Sequence, residues 1–206
     1  MFLPKPSESG SFELSPAGTF TAICYRFIDR GTQKSEYMGE AKTRREVMLT
    51  WELCNEFMTD GRPFSASKTY TWSMHEKATL RKDLEAWRGR NFTDDDFDGP
   101  NAFNTKKLIG APCTLTITHE TKPNGNTYAK VTSIGKVIKG MAVPEMINSP
   151  VYLALVREEF EPTAFAGLSD KLREIIGASP EYIGLMADSR QHDDPGGHNP
   201  DDDIPF

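Results

Sequence analysis

Residues 64–88, FSASKTYTWSMHEKATLRKDLEAWR, change their period partway along. From Phe64 to Ser73 the small hydroxyl residues Ser65, Ser67, Thr69, Thr71 and Ser73 alternate with Ala66, Lys68, Tyr70 and Trp72. That is the two-residue repeat of a half-buried strand. Ser73-Met74-His75-Glu76 then forms a capping-box pattern, which predicts a helix opening there. Leu80, Leu84 and Trp87 make one apolar stripe through about Arg88, and Gly89 suits the C-terminal cap. A strand running directly into a single helix is the feature around which the other elements arrange themselves.

Upstream, Thr19 to Ile28 is β-rich, and Asp29-Arg30-Gly31 reads as the turn that ends it. Arg45 to Leu53 alternates strictly, with Val47, Leu49, Trp51 and Leu53 on one face, and Met58 to Pro63 is a turn. Downstream, Cys113 to Thr118 and Thr127 to Ile134 read as a hairpin joined by Lys122-Pro123-Asn124-Gly125-Asn126. Three strands, a helix and two strands is the element order of an OB-fold, a five-stranded Greek-key barrel. The expected organisation is mainly β: an OB-fold domain over 11–139, an extension over 140–186 packed on the barrel, and a disordered acidic tail over 187–206. Within the extension, Ser169 is placed to cap a short helix carrying Leu172, Ile175 and Ile176.

The 206 residues carry a formal net charge of −6, which taken whole argues against a nucleic-acid partner. The charge is unevenly divided. Residues 1–140 hold 20 Lys/Arg against 17 Asp/Glu, or +3, whereas residues 141–206 hold 4 against 13, or −9. From Ala187 onward apolar residues almost vanish, so the segment buries too little surface to offset its ordering entropy. It nonetheless finishes Asp201-Asp202-Asp203-Ile204-Pro205-Phe206, an acidic cluster followed by an apolar tripeptide.

No run approaches the roughly 18 apolar residues of a spanning helix, and Met1-Phe2-Leu3-Pro4-Lys5-Pro6 lacks a secretory h-region, so a cytoplasmic location without membrane partners is expected. Enzymatic patterns are missing: there is no P-loop, G-x-G-x-x-G, H-E-x-x-H or G-x-S-x-G. His75, His119, His192 and His198 are scattered, and Asp94-Asp95-Asp96-Phe97-Asp98 lacks calcium-loop spacing and reads as a solvated acidic loop. Cys24, Cys54 and Cys113 alternate with apolar residues and read as core or near-core. The expectation is therefore a binding protein rather than an enzyme, with no cofactor, no metal and no small-molecule substrate.

Binding single-stranded nucleic acid needs cations along a backbone groove and flat rings on which bases stack. Tyr25, Phe27, Arg30, Lys34, Tyr37, Lys42, Arg44, Arg45, Lys68, Tyr70, Tyr128 and Lys130 supply both, several on or beside the segment joining the first two strands. Each ring has a structural alternative. Tyr25 and Phe27 share a parity, so only one choice of face makes them platforms, and Tyr37, Tyr70 and Tyr128 stand between rim and core. Trp51, Trp72 and Trp87 are read as core, Trp72 because the opposite face of its strand is all Ser and Thr.

Asp201 to Phe206 resembles, residue for residue, the C-terminal tip of bacterial single-stranded DNA-binding proteins. Residues 11–136 instead resemble phage-encoded single-stranded DNA-binding proteins. The stretches carrying this likeness are Ser15-Pro16-Ala17-Gly18-Thr19-Phe20, Ile28-Asp29-Arg30-Gly31-Thr32-Gln33, Thr50-Trp51-Glu52-Leu53, and Leu80 to Leu84 with Trp87-Arg88-Gly89-Arg90. The resemblance implies a protein that coats single strands during phage DNA replication, recombination or repair. It also implies that Asp201, Asp202, Asp203, Ile204, Pro205 and Phe206 dock on host replication and repair proteins. Two other readings stay open: an adaptor or inhibitor that mimics the host tip, and a recombinase that anneals strands.

Overall fold

The computed structural model describes residues 13–37, 40–100 and 102–192. Six strands form one antiparallel sheet: β1 (Gly18–Tyr37), β2 (Glu40–Phe57), β3 (Pro63–Thr71), β4 (Pro112–Thr121), β5 (Thr127–Gly135) and β6 (Val151–Leu153). Their order is β3-β2-β1-β4-β5, with β6 pairing on β1. The two ends of this order, β3 and β5, come within 8 Å between Cα atoms, but no hydrogen-bonded ladder joins them and the sheet is not closed. Four short helices accompany it: α1 (Thr79–Arg88), α2 (Pro162–Ala166), α3 (Asp170–Gly177) and α4 (Pro180–His192). No helix among the described residues is long and apolar enough to cross a membrane.

The chain divides into two compact units, one of Met1–Ile28 with Met48–Tyr152 and one of Asp29–Val47 with Leu153–Phe206. In the first, the inward faces of β2, β3 and β4 bury Leu49, Trp51, Leu53, Ala66, Tyr70, Leu115 and Ile117. Helix α1 adds Leu80, Leu84 and Trp87, the stripe its spacing predicts. Trp87 packs its ring 5.9 Å from that of Trp51 and donates its indole N–H to the Pro112 carbonyl at 2.8 Å. Cys24 and Cys113 are buried and Cys54 half-buried, as core or near-core positions should be, and burial pushes the Cys24 thiol up to about 12. The β4–β5 turn closes with Lys122 N–H on the Asn126 carbonyl at 2.9 Å and Gly125 at φ +83°.

In the second unit, Asp29 is 4% exposed and acts as a hub. Its carboxylate accepts the Gly31 N–H at 3.0 Å, the Leu155 N–H at 3.3 Å and Arg45 through Nη2 at 2.5 Å. Thr32 donates to Glu181 from both its backbone N–H, at 2.8 Å, and its hydroxyl, at 2.6 Å. Burial alone would raise the Glu181 carboxyl; these hydrogen bonds, with its own backbone N–H and the Arg45 charge, together outweigh it and hold it below its ordinary value. Phe160, Phe165 and Tyr182 pack together, the last two stacked at 4.6 Å.

Several boundaries differ from the sequence expectations. Asp29-Arg30-Gly31 does not end β1, which continues to Tyr37, because Gly31 at φ +69° and the buried Asp29 absorb an irregularity inside the strand. Ser73 does not open α1: its hydroxyl accepts the His75 N–H at 3.3 Å in a local turn, and the helix starts at Thr79. Helix α3 does follow Ser169, although through no side-chain cap. Helix α4 runs to His192, past the point where composition alone stops favouring order.

Candidate nucleic-acid interface

The outward face of β1 and β2 in the first unit is covered by the chain itself. Residues 141–150 have no helix or strand and cross this face as a strap. Thr21 donates its hydroxyl to Met141 Sδ at 3.2 Å. Glu52, 2% exposed, accepts the Ile147 N–H at 2.8 Å, the Asn148 N–H at 2.7 Å and the Asn148 side-chain amide at 2.8 Å. A buried carboxylate needs donors, and this one takes all three from the strap.

Where the strap enters β6, an aromatic group forms. Tyr152 stacks on Phe27 with centroids 5.1 Å apart and rings 17° from parallel, and Trp72 meets Phe27 edge-on at 6.0 Å. Tyr152 also exchanges a hydrogen bond with Thr105 at 2.9 Å, and Lys106 Nζ stands 5.3 Å from its ring centroid. Phe27 is 3% exposed and Trp72 is 40% exposed. The group thus holds one partly exposed ring, Trp72, against buried Phe27, with a cation at the Tyr152 end of the cluster, ingredients that stacking on a base uses.

The sequence-predicted residues fall into distinct environments. Phe27 and Tyr25, 8% exposed, share a buried face, so neither offers an open ring. Phe27 supports the platform instead of forming it. Tyr70 is 3% exposed and donates its hydroxyl to Asp83 at 2.9 Å, while Lys68 pairs with the same carboxylate at 2.7 Å. That pair turns inward onto α1, so Tyr70 is a core residue and not a groove rim. Tyr128 and Lys130 share Glu120, at 2.8 and 2.7 Å, and Lys122 lies 5.2 Å from the Tyr128 ring centroid.

In the second unit, Arg30 pairs with Glu46 at 2.6 Å and Arg45 with Asp29, so both charges are largely compensated locally. Lys42 stands 3.7 Å from Glu40. Lys34 and Arg44 are exposed and form no ion pair with a described residue. The Tyr37 side chain and the whole of Asp201 to Phe206 lie outside the described residues.

Trp72 is the residue that the strand pattern misplaced. β3 ends at Thr71, so alternation no longer governs the next side chain. The Ser73-x-His75 turn, legible in the sequence, was the available signal that the strand had already ended.

The acidic loop is not simply solvated either. Asp96 is buried and accepts Arg88 Nη2 at 2.7 Å, Arg90 Nη2 at 3.2 Å and the Thr93 N–H at 3.0 Å. The Arg88 guanidinium beside it holds its carboxyl well below the usual carboxylate range. Among the described residues no cluster of His, Cys, Asp and Glu is arranged to hold a metal ion. No protein-family model matches the chain, and no curated protein matches its sequence.

Proposed function

We propose that the chain is a phage-type single-stranded DNA-binding protein of OB-fold architecture. It acts by binding and not by catalysis, in the cytoplasm of an infected bacterial cell, and coats strands without sequence preference during replication, recombination or repair. The observation that carries this reading is the Trp72 platform, an exposed indole set edge-on against Phe27, which Tyr152 backs, with Lys106 beside the Tyr152 ring. An open ring held at a fixed angle stacks on any base, because every base has a π-face.

The strand order supports the OB-fold reading. With β3 and β5 facing one another and α1 between β3 and β4, closure of the sheet would give the five-stranded Greek-key barrel. Lys34, Lys42 and Arg44 supply cations for phosphate contacts. The likeness of Asp201 to Phe206 to the acidic tip supports a second role, recruitment of host replication and repair proteins.

A titration of labelled oligo(dT), duplex and RNA at two salt concentrations tests the reading. Single-stranded DNA should bind most tightly and weaken as salt rises. Trp72→Ala should weaken it by about tenfold or more, since stacking contributes roughly 1–3 kcal/mol per base. Thermal stability of that variant should be nearly unchanged. Equal affinity for all three ligands, or an unaffected Trp72→Ala, would overturn the proposal.

A further inference from the structure

A cavity of about 340 Å³ opens at the C-terminal end of α1 in the first unit. Leu84, Trp87, Phe103, Leu108, Pro112 and Val137 give it apolar walls, and Arg88, Lys107 and Lys136 stand among them. Of the three cations only Arg88 has a carboxylate partner among the described residues, Asp96 at 2.7 Å. Arg88 gives Nη2 to Asp96, but its Nη1 is buried with no hydrogen-bond partner. The guanidinium is held in place by the rings of Phe92 and Phe103, at 4.2 and 5.4 Å from their centroids. Lys107 and Lys136 have no carboxylate within 4.0 Å among the described residues.

Lys107 and Lys136 are exposed at the cavity, so their ammonium groups are free to meet carboxylates that a ligand brings. Apolar walls ask for an apolar group of side-chain size, and three cations ask for negative charge beside it. A nucleobase meets these demands poorly, because its polar edges would face walls that offer them few partners. A peptide carrying an aromatic or branched apolar anchor between carboxylates meets all of them.

We propose that this cavity is a docking pocket for an acidic peptide segment of a partner protein, with an apolar anchor residue inside and carboxylates on Arg88, Lys107 and Lys136. The proposal is independent of the strand-binding reading, since the cavity shares no residue with the Trp72 platform.

The test uses the full chain and a fluorescein-labelled, amidated peptide, Gly-Asp-Glu-Asp-Ile-Phe-Asp-Gly. It should bind saturably and shift the Trp87 indole N–H resonance. Replacing its phenylalanine by alanine should weaken binding at least tenfold, and so should the double variant Lys107→Glu with Lys136→Glu. Both lysines are exposed, so the double variant should keep its thermal midpoint, and a lower one would shift attention to Val137→Trp, which fills the cavity without changing charge. Equal binding of the alanine peptide, undiminished binding by both protein variants, or oligo(dT) shifting Trp87 and displacing the peptide would overturn the assignment.

Discussion

Gly31 lies inside a strand at φ +69°, a conformation that costs an L-residue about 1–2 kcal/mol. A Cβ there would also collide with Cβ and Oγ of Ser179. Gly31→Ala should therefore destabilise the protein by more than the backbone cost alone, read as a lower urea midpoint. Adding Ser179→Gly should recover the steric part and leave the backbone part, although it also removes the hydroxyl that accepts the Tyr182 N–H. Asp96 makes a different demand. Its carboxyl titrates below the ordinary 3.8 because Arg88 hydrogen-bonds the charged form, with help from the Thr93 N–H. A depressed folded-state pKa contributes stability that is present above the unfolded value and lost as pH falls through the folded one. Asp96→Asn should lower the thermal midpoint by a constant amount from pH 7 to about 4, and the gap should narrow in stronger acid. At this scale the sequence was readable where a residue obeyed its element, as Trp51 and Trp87 do. Trp72 escaped because its element had ended one residue earlier. Asp96 escaped because one aspartate of the four in its loop carries no local mark of its arginine partners.

Elements were legible in kind and less so in length. The alternation of β2 and the apolar stripe of α1 place both correctly. β1 and β2 extend beyond their expected ends because Asp29-Arg30-Gly31, a strong turn signal by composition, is overridden by the Arg45 and Leu155 donors that satisfy Asp29. Those donors come from sixteen or more residues away, beyond the reach of local pattern. The strap is less legible still. Residues 141–150 have no period, and the only hint of their course is a glutamate on a strand, Glu52, whose partners the sequence does not name. Glu52→Gln keeps the volume but offers one acceptor oxygen where three donors converge, and it adds donors of its own. It should loosen the strap, seen as faster limited proteolysis between residues 138 and 150, with a melting midpoint lower by a few degrees. Unchanged cleavage would mean that contacts other than Glu52 hold the segment.

For the whole molecule, the balance of charge matters more than its total. Of the basic residues singled out for strand binding, Arg30, Arg45, Lys68 and Lys130 all have carboxylate partners, so the field that an approaching polyanion meets is weaker than composition suggests. Residues 193–206 contribute five aspartates and no Lys or Arg. Ending the chain at His192 removes that −5 and should tighten strand binding, most at low ionic strength where screening is least. Unchanged affinity at low salt would show that this segment does not compete with DNA. The strap offers a further readout that needs no ligand. Backbone amides in an irregular, largely exposed stretch normally trade their hydrogens with solvent almost at once. Those of Ile147 and Asn148 are tied to a buried carboxylate, so they exchange only when the strap lifts from the sheet. In deuterium oxide these two protons become a clock for that opening, and any molecule that needs the covered face must wait for it.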